Sequence, residues 1–283
     1  MTKLSDLQFQ IESVHKLSDI ISALRSLAAL RVRQTHEALN AIRHYTDTVN
    51  SSLGQVVSTL VSILPETSAD KAPRKAVLAF CSEYGFVGAF NHQIITRATH
   101  EISTDSLLFI IGARGALAAK ERNIDVERRI PMPTNITGIP EAAREITEAL
   151  YHRFESGEIG GVDLVFGVQN EEGSILPRRQ TLLPLDLRTF QVATNTVPPL
   201  TTLEPNELLG QVVAQYFYAA ITLATTESLV VINEARLAAM DQAHHNIEAK
   251  HEELVRSAHV MGQEETTTEL QDIIIGAQAA LSR

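Results

Sequence analysis

Residues 4–63 read LSDLQFQIESVHKLSDIISALRSLAALRVRQTHEALNAIRHYTDTVNSSLGQVVSTLVSI, a stretch without proline and with Gly54 as its only glycine. Stepping alternately by three and four residues gives Leu4, Leu7, Ile11, Val14, Ser18, Ile21, Arg25, Ala28, Val32, Thr35, Leu39 and Ile42. The same register continues as Thr46, Val49, Leu53, Val56, Leu60 and Ile63. That spacing is the seam of a helix that lays one face against another helix. It holds for about eight heptads, whereas an ordinary globular helix has about 11 residues. Some 60 residues at about 1.5 Å each would reach on the order of 90 Å. The reading predicts a first domain, residues 1–64, that is one coiled-coil helix.

The breakers say the same from the other side. All ten prolines, from Pro65 to Pro205, fall in the middle of the chain. Of the 14 glycines only Gly54, Gly210, Gly262 and Gly276 lie in the outer arms. Proline breaks helices and glycine weakens them, so both arms are free to be long helices. The last arm, residues 206–283, carries its own stripe through Val212, Tyr216, Ala219, Leu223, Ala239, Ala243, Ile247, Leu254, Ala258 and Met261. Neither arm can leave its stripe in water, so the two are expected to pair. The domain between them favours an antiparallel arrangement and hence a rod.

Residues 70–200 read as an α/β domain. Lys75–Cys81, Leu107–Gly112 and Val162–Gly167 are short continuous apolar runs of the buried-strand type, with Gln180–Asp186 as a further candidate. Helical patterns lie near Asn91–Ile102, Gly115–Arg122 and Pro140–Ser156. The predicted fold class is therefore a small, mostly parallel, Rossmann-like sheet with covering helices, inserted into a long antiparallel coiled coil of N- and C-terminal helices.

Bulk properties narrow the function. A formal net charge of −10 argues against nucleic acid as the main partner, because a phosphate-binding face needs clustered Lys and Arg. One cysteine, Cys81, excludes an internal disulfide framework and points to a reducing compartment. The first residues lack a signal-peptide pattern. No run approaches the roughly 18 apolar residues that span a bilayer, so membrane association is expected only through partners.

Candidate chemistry is thin. Gly85-Phe86-Val87-Gly88 and Gly112-Ala113-Arg114-Gly115 each follow a strand and precede a helix, where a phosphate cradle would sit. Neither completes G-x-G-x-x-G or ends in G-K-[ST], so both are read as turn glycines. His244, Glu248 and His251 share a helical face at metal-ligand spacing, but on a long solvated helix such triplets arise by chance. They are read as surface or partner-facing residues. Cys81 has no basic cluster to lower its pKa, and no catalytic arrangement stands out. The expectation is no catalytic residue, no cofactor and no metal.

Local sequence then resembles one family. Ile11-Glu12-Ser13-Val14 with Ile20, Ala23-Leu24 and Leu27-Ala28-Ala29 looks like the opening I-x-S-V…I-T-x-A-M…V-A-A-A of gamma subunits of rotary ATP synthases. Ser82-Glu83-Tyr84-Gly85-Phe86-Val87-Gly88-Ala89-Phe90-Asn91 resembles the family's S-D-x-G-L-C-G-x-F-N. Ala235–Ala243 with Asn246 is similar to A-R-M-x-A-M-x-x-A-x-x-N. Gln263, Thr266-Thr267, Glu269-Leu270, Asp272-Ile273 and Gly276-Ala277 match its Q-x-x-I-T-x-E-L-x-E-I-V-x-G-A ending. The likeness covers both arms and the domain junction in order.

The resemblance implies a non-catalytic rotor shaft, turning inside a hexamer of alternating alpha and beta subunits. The insert would lie near the epsilon subunit and the membrane ring of c subunits, at the cytoplasmic face of the inner (plasma) membrane. Mapped by position, Leu24, Arg236, Gln263 and Thr267 would lie near the contact between shaft and hexamer. Arg25, Arg31 and Arg33 would face acidic loops of the catalytic subunits. Two departures stand out: Asp19 where the family usually has lysine, and Gly262 where it has an arginine. The last arm is also acidic, with 11 Asp and Glu against 4 Lys and Arg after Pro205. A divergent branch is inferred. The competing readings are a coiled-coil adaptor with a protein-binding insert, and an α/β enzyme with helical arms and a substrate near Gly85–Asn91.

Overall fold

A computed structural model of the chain describes residues 3–60, 74–100, 102, 105–170, 172–185 and 202–281. Helix α1 runs unbroken over Lys3–Leu60, 58 residues, and helix α5 over Pro205–Leu281, 77 residues. Ile63 and the side chain of Leu60 lie outside the described part. Of the predicted α1 seam, Ile21, Ala28, Thr35, Leu39, Thr46, Val49, Leu53 and Val56 are buried. The remaining seam positions from Leu4 to Ile42 are half-buried, except Arg25, which is exposed and ion-paired. The heptad register therefore names the packed face of the helix.

The chain falls into two compact units, one built from Met1–Ala28 with Leu237–Arg283 and the other from Ala29–Arg236. In the first, the His15 ring lies 6.2 Å from that of His251, and Arg25 pairs with Asp241. In the second, His36 meets Glu234 at 2.7 Å and Arg43 meets Glu227 at 3.1 Å. Residue numbers rise on α1 as they fall on α5 within each unit. The helices are thus antiparallel, as the interruption by the insert requires.

The insert adds β1 (Arg74–Phe80), α2 (Phe90–Thr99), β2 (Leu107–Ile111), α3 (Ala113–Glu121) and β3 (Arg128–Ile130). After a single 3-10 turn at Ile136–Gly138 come α4 (Ile139–Glu155), β4 (Ile159–Gln169) and β5 (Ile175–Leu183). They form a five-stranded sheet in the order β3-β2-β1-β4-β5. All neighbours are parallel except β4 with β5. Strands β1 and β2 are buried almost throughout, which is why they read as continuous apolar runs.

Two strands differ from the expectation. β3, Arg-Arg-Ile, is too short and too charged to give a periodic signal. β5 begins at Ile175, before the expected Gln180, because Pro177 is tolerated on an edge strand. Asp186, the expected end, lies outside the described residues.

Asp163 on β4 is fully buried and fixes this edge. Its carboxylate pairs with Lys75 of β1, accepts from Arg179 Nη2 at 2.9 Å, and accepts from Thr181 Oγ1 at 2.8 Å. Three strands are thereby tied at one point, beside the irregularity in pairing between Val162 and Asp163.

The middle of α5 is packed on nearly every side. From Ala219 to Asn233 only Leu223 keeps partial exposure. Thr222, Thr225 and Thr226 sit there because each hydroxyl donates to the carbonyl one turn back at 2.7 Å. By length and composition α5 does hold a window apolar enough to cross a bilayer, which the sequence reading did not expect. Here its apolar middle joins one core with the sheet and with Val49, Leu53 and Val57 of α1.

Candidate functional site

The loop after β1 is locked by the chain itself. Asn91 Oδ1 accepts from the Ser82 backbone N at 2.9 Å, and Asn91 Nδ2 donates to Ser82 Oγ at 2.9 Å. Ser82 Oγ donates onward to the Tyr84 carbonyl at 2.8 Å. The serine and asparagine at the two ends of the S…N signature are thus a clamp. Glu83 Oε2 accepts from the backbone N of Ala113 and of Met132, each at 3.1 Å. The N-terminus of α3, the natural place for a phosphate, already holds a carboxylate of the chain, and like charge opposes an anion there.

Gly112 has φ +106°, and a Cβ on it would lie 2.4 Å from the Cys81 carbonyl oxygen. At Gly115 a Cβ would lie 2.4 Å from Cys81 Cβ. These glycines serve the turn and the close approach of α3 to β1. Cys81 itself is buried, and burial pushes its thiol well above the ordinary range.

The triplet His244, Glu248 and His251 does not act as one group. Glu248 lies 3.3 Å from His244 and 3.7 Å from His245, while His251 turns to His15 on α1. As the side chains stand, no three His, Cys, Asp or Glu among the described residues are grouped to hold a metal.

The residues assigned to partner contact fall in both units. In the first, Leu24 is exposed, and it belongs to a run the heptad reading did not use: Leu17, Ile20, Leu24 and Leu27, all exposed. This second apolar stripe lies beside the seam and is uncovered in the chain alone. Arg25 is held by Asp241. Gln263 and Thr267 are exposed one turn apart, with Thr267 Oγ1 donating to the Gln263 carbonyl at 2.7 Å. Farther along α5, Leu270, Ile273, Ile274 and Ile275 are exposed as well. A test for exposed, rather than seam, periodicity in the sequence would have found both runs.

In the second unit Arg31 and Arg236 are brought near each other, and Arg33 is exposed. Burial, and then the Arg31 charge, hold the Arg236 guanidinium below its ordinary pKa. Arg236 Nη1 donates to Asn233 Oδ1 at 3.2 Å. Two cations left close together, without a carboxylate bonded to either among the described residues, make a site that an acidic partner would relieve.

Taken together, the features define a class: a paired-helix protein with an α/β insert, whose S…N motif is a structural clamp and whose helices carry exposed apolar stripes. Comparison with known proteins supplies the family. The family model described as ATP synthase matches residues 3–280. The ATP synthase gamma chain of Thermobifida fusca is 29% identical over 292 residues, covering 95% of this chain and 94% of the relative. That of Pelotomaculum thermopropionicum is 25% identical over 291 residues, covering 99% of both.

Among solved structures, one chain of the Euglena gracilis mitochondrial ATP synthase (OSCP/F1/c-ring, rotational state 3) aligns with a TM-score of 0.65 at 13% identity. It covers 98% of this chain and 94% of that one. A chain of the Tetrahymena thermophila mitochondrial ATP synthase central stalk and c-ring aligns with a TM-score of 0.59 at 17% identity, covering 79% and 99%. The chain belongs to the ATP synthase gamma-chain family. Its members are the non-catalytic central-stalk subunit, part of a complex attached to the membrane.

Proposed function

We propose that this chain is the rotor shaft of a rotary ATP synthase or ATPase, coupling transmembrane ion flow to ATP synthesis or hydrolysis in an alpha/beta hexamer. The observation that carries the reading is the uncovered apolar stripe Leu17, Ile20, Leu24 and Leu27, lying beside a seam in which Ile21 and Ala28 are buried. A helix that has one covered and one uncovered stripe is built to touch a further partner. In the complex the shaft meets alpha and beta subunits through Leu24, Arg25, Gln263 and Thr267, and through Arg31, Arg33 and Arg236. The insert, residues 70–200, meets the epsilon subunit and the c-ring at the cytoplasmic face of the membrane. The helical domains are residues 1–64 and 206–283.

Coupling follows from inequality of contact. A shaft that touches each catalytic subunit differently favours a different nucleotide state at each position, and turning it exchanges those states. Co-expression with neighbouring genes and purification through a tag on this chain tests the assignment. Recovery of alpha- and beta-type subunits, with ATP hydrolysis that depends on this chain, is the expected result. Recovery with an unrelated partner would replace the shaft by a coiled-coil adaptor.

A further inference from the structure

We propose that the cavity where β5 faces α1 and α5 binds a small zwitterion with a primary ammonium and a carboxylate, the chemistry of a free amino acid. The cavity has a volume of 570 Å³, within the range of about 300–1,000 Å³ of small-molecule sites. Its lining falls wholly within the unit Ala29–Arg236. The alternation of β5 builds one wall. Arg179 and Thr181 turn to Asp163, which sends Arg178 and Gln180 to the other face of the strand and into the cavity. The opposite wall is helical, with Asp47 and Asn50 from α1 and Glu227 from α5.

The two walls differ in character. The strand wall offers the Arg178 guanidinium and the Gln180 amide, whereas the helical wall offers carboxylates and a carbonyl. Asp47, Arg178 and Gln180 make no hydrogen bond or ion pair among the described residues, so none has to leave a partner. Asn50 Oδ1 is buried and accepts no hydrogen bond among them either, which leaves a donor's place open. Glu227 is 7% exposed, and its Oε1 is taken by Arg43 at 3.1 Å.

Charge then decides the ligand. Asp47 and Glu227 are balanced by Arg178 and Arg43, so a bare cation or anion would leave an excess and a neutral dipolar molecule leaves none. The ammonium lies toward Asp47 and Asn50, and the carboxylate meets the fork of Arg178. Only a nitrogen that carries N–H bonds can satisfy Asn50 Oδ1, which excludes a quaternary amine.

The test is calorimetric titration of the common L-amino acids, one at a time, into the full-length chain. Because the chain is titrated alone, the result stands apart from the shaft assignment. At least one amino acid is expected to bind saturably with one equivalent, whereas glycine betaine, which has no N–H, should not bind. Methylamine and acetate, with one charge each, should bind far more weakly. Asp47→Asn and Arg178→Gln should each weaken the binding at least about tenfold. Both side chains are exposed, and circular dichroism checks that the variants keep their helix content. The site is overturned if no amino acid binds saturably, if glycine betaine or a single-charge probe matches the best amino acid, or if either variant keeps full affinity.

Discussion

Two glycines show how differently one residue type is used. A Cβ on Gly112 meets the Cys81 carbonyl oxygen at 2.4 Å, and φ is +106°. Gly112→Ala should cost about 1–3 kcal/mol or more, read as a drop in thermal unfolding temperature. Gly262, in the middle of α5, has nothing within 4 Å of where a Cβ would stand. Gly262→Ala should therefore stabilise the full chain by about 0.5–1 kcal/mol; a lower melting point than wild type would contradict an unbroken helix there. The position of both glycines was plain in the sequence, and so was the turn role of Gly112. The burden on Gly115 was not legible, because its neighbour Cys81 lies more than 30 positions away. The Glu83 carboxylate on α3 was hidden for the same reason: a contact across a loop leaves no periodic trace.

At the scale of elements, legibility followed length. The α1 seam could be read because a period repeated over many turns leaves little room for chance, and the burial of Ile21, Ala28, Leu39 and Leu53 follows it. β3 could not be read, since three residues carry no period. α5 was legible as a helix, but its stripe fades from Ala219 to Asn233, where the helix is buried in one core with the sheet and α1. Proline at Met240, which is 1% exposed, would remove a backbone bond and clash with the preceding turn, at about 3 kcal/mol or more. Loss of co-purifying partners is the expected readout, and normal assembly of Met240→Pro would refute a continuous α5.

The sheet edge offers a second test at this scale. Asp163→Ala leaves Lys75 and Arg179 without their shared carboxylate. Both side chains are about a third exposed, 32% and 31%, so the cost falls near the low end for buried pairs, about 3 kcal/mol. A fall in the urea midpoint would register it, whereas an unchanged midpoint would mean that β5 is held by its backbone ladder alone.

For the whole molecule, the arrangement of helices and insert was legible, and so was the family, because its motifs recur in order along both arms. The proposed contact residues could be named from the sequence only as positions. A residue that meets a partner is defined by the partner's surface, and the isolated chain records only that Leu24 is uncovered and that Arg31 and Arg236 have no carboxylate bonded to them among the described residues. Those features gain meaning if the chain turns within a ring. The most direct test is to fix the assembled alpha/beta hexamer to a surface, attach a probe to the insert of this chain, and supply ATP. Sustained rotation in one direction, abolished when ATP is withheld, is the predicted result. ATP hydrolysis by the complex with the probe stationary would contradict a rotor.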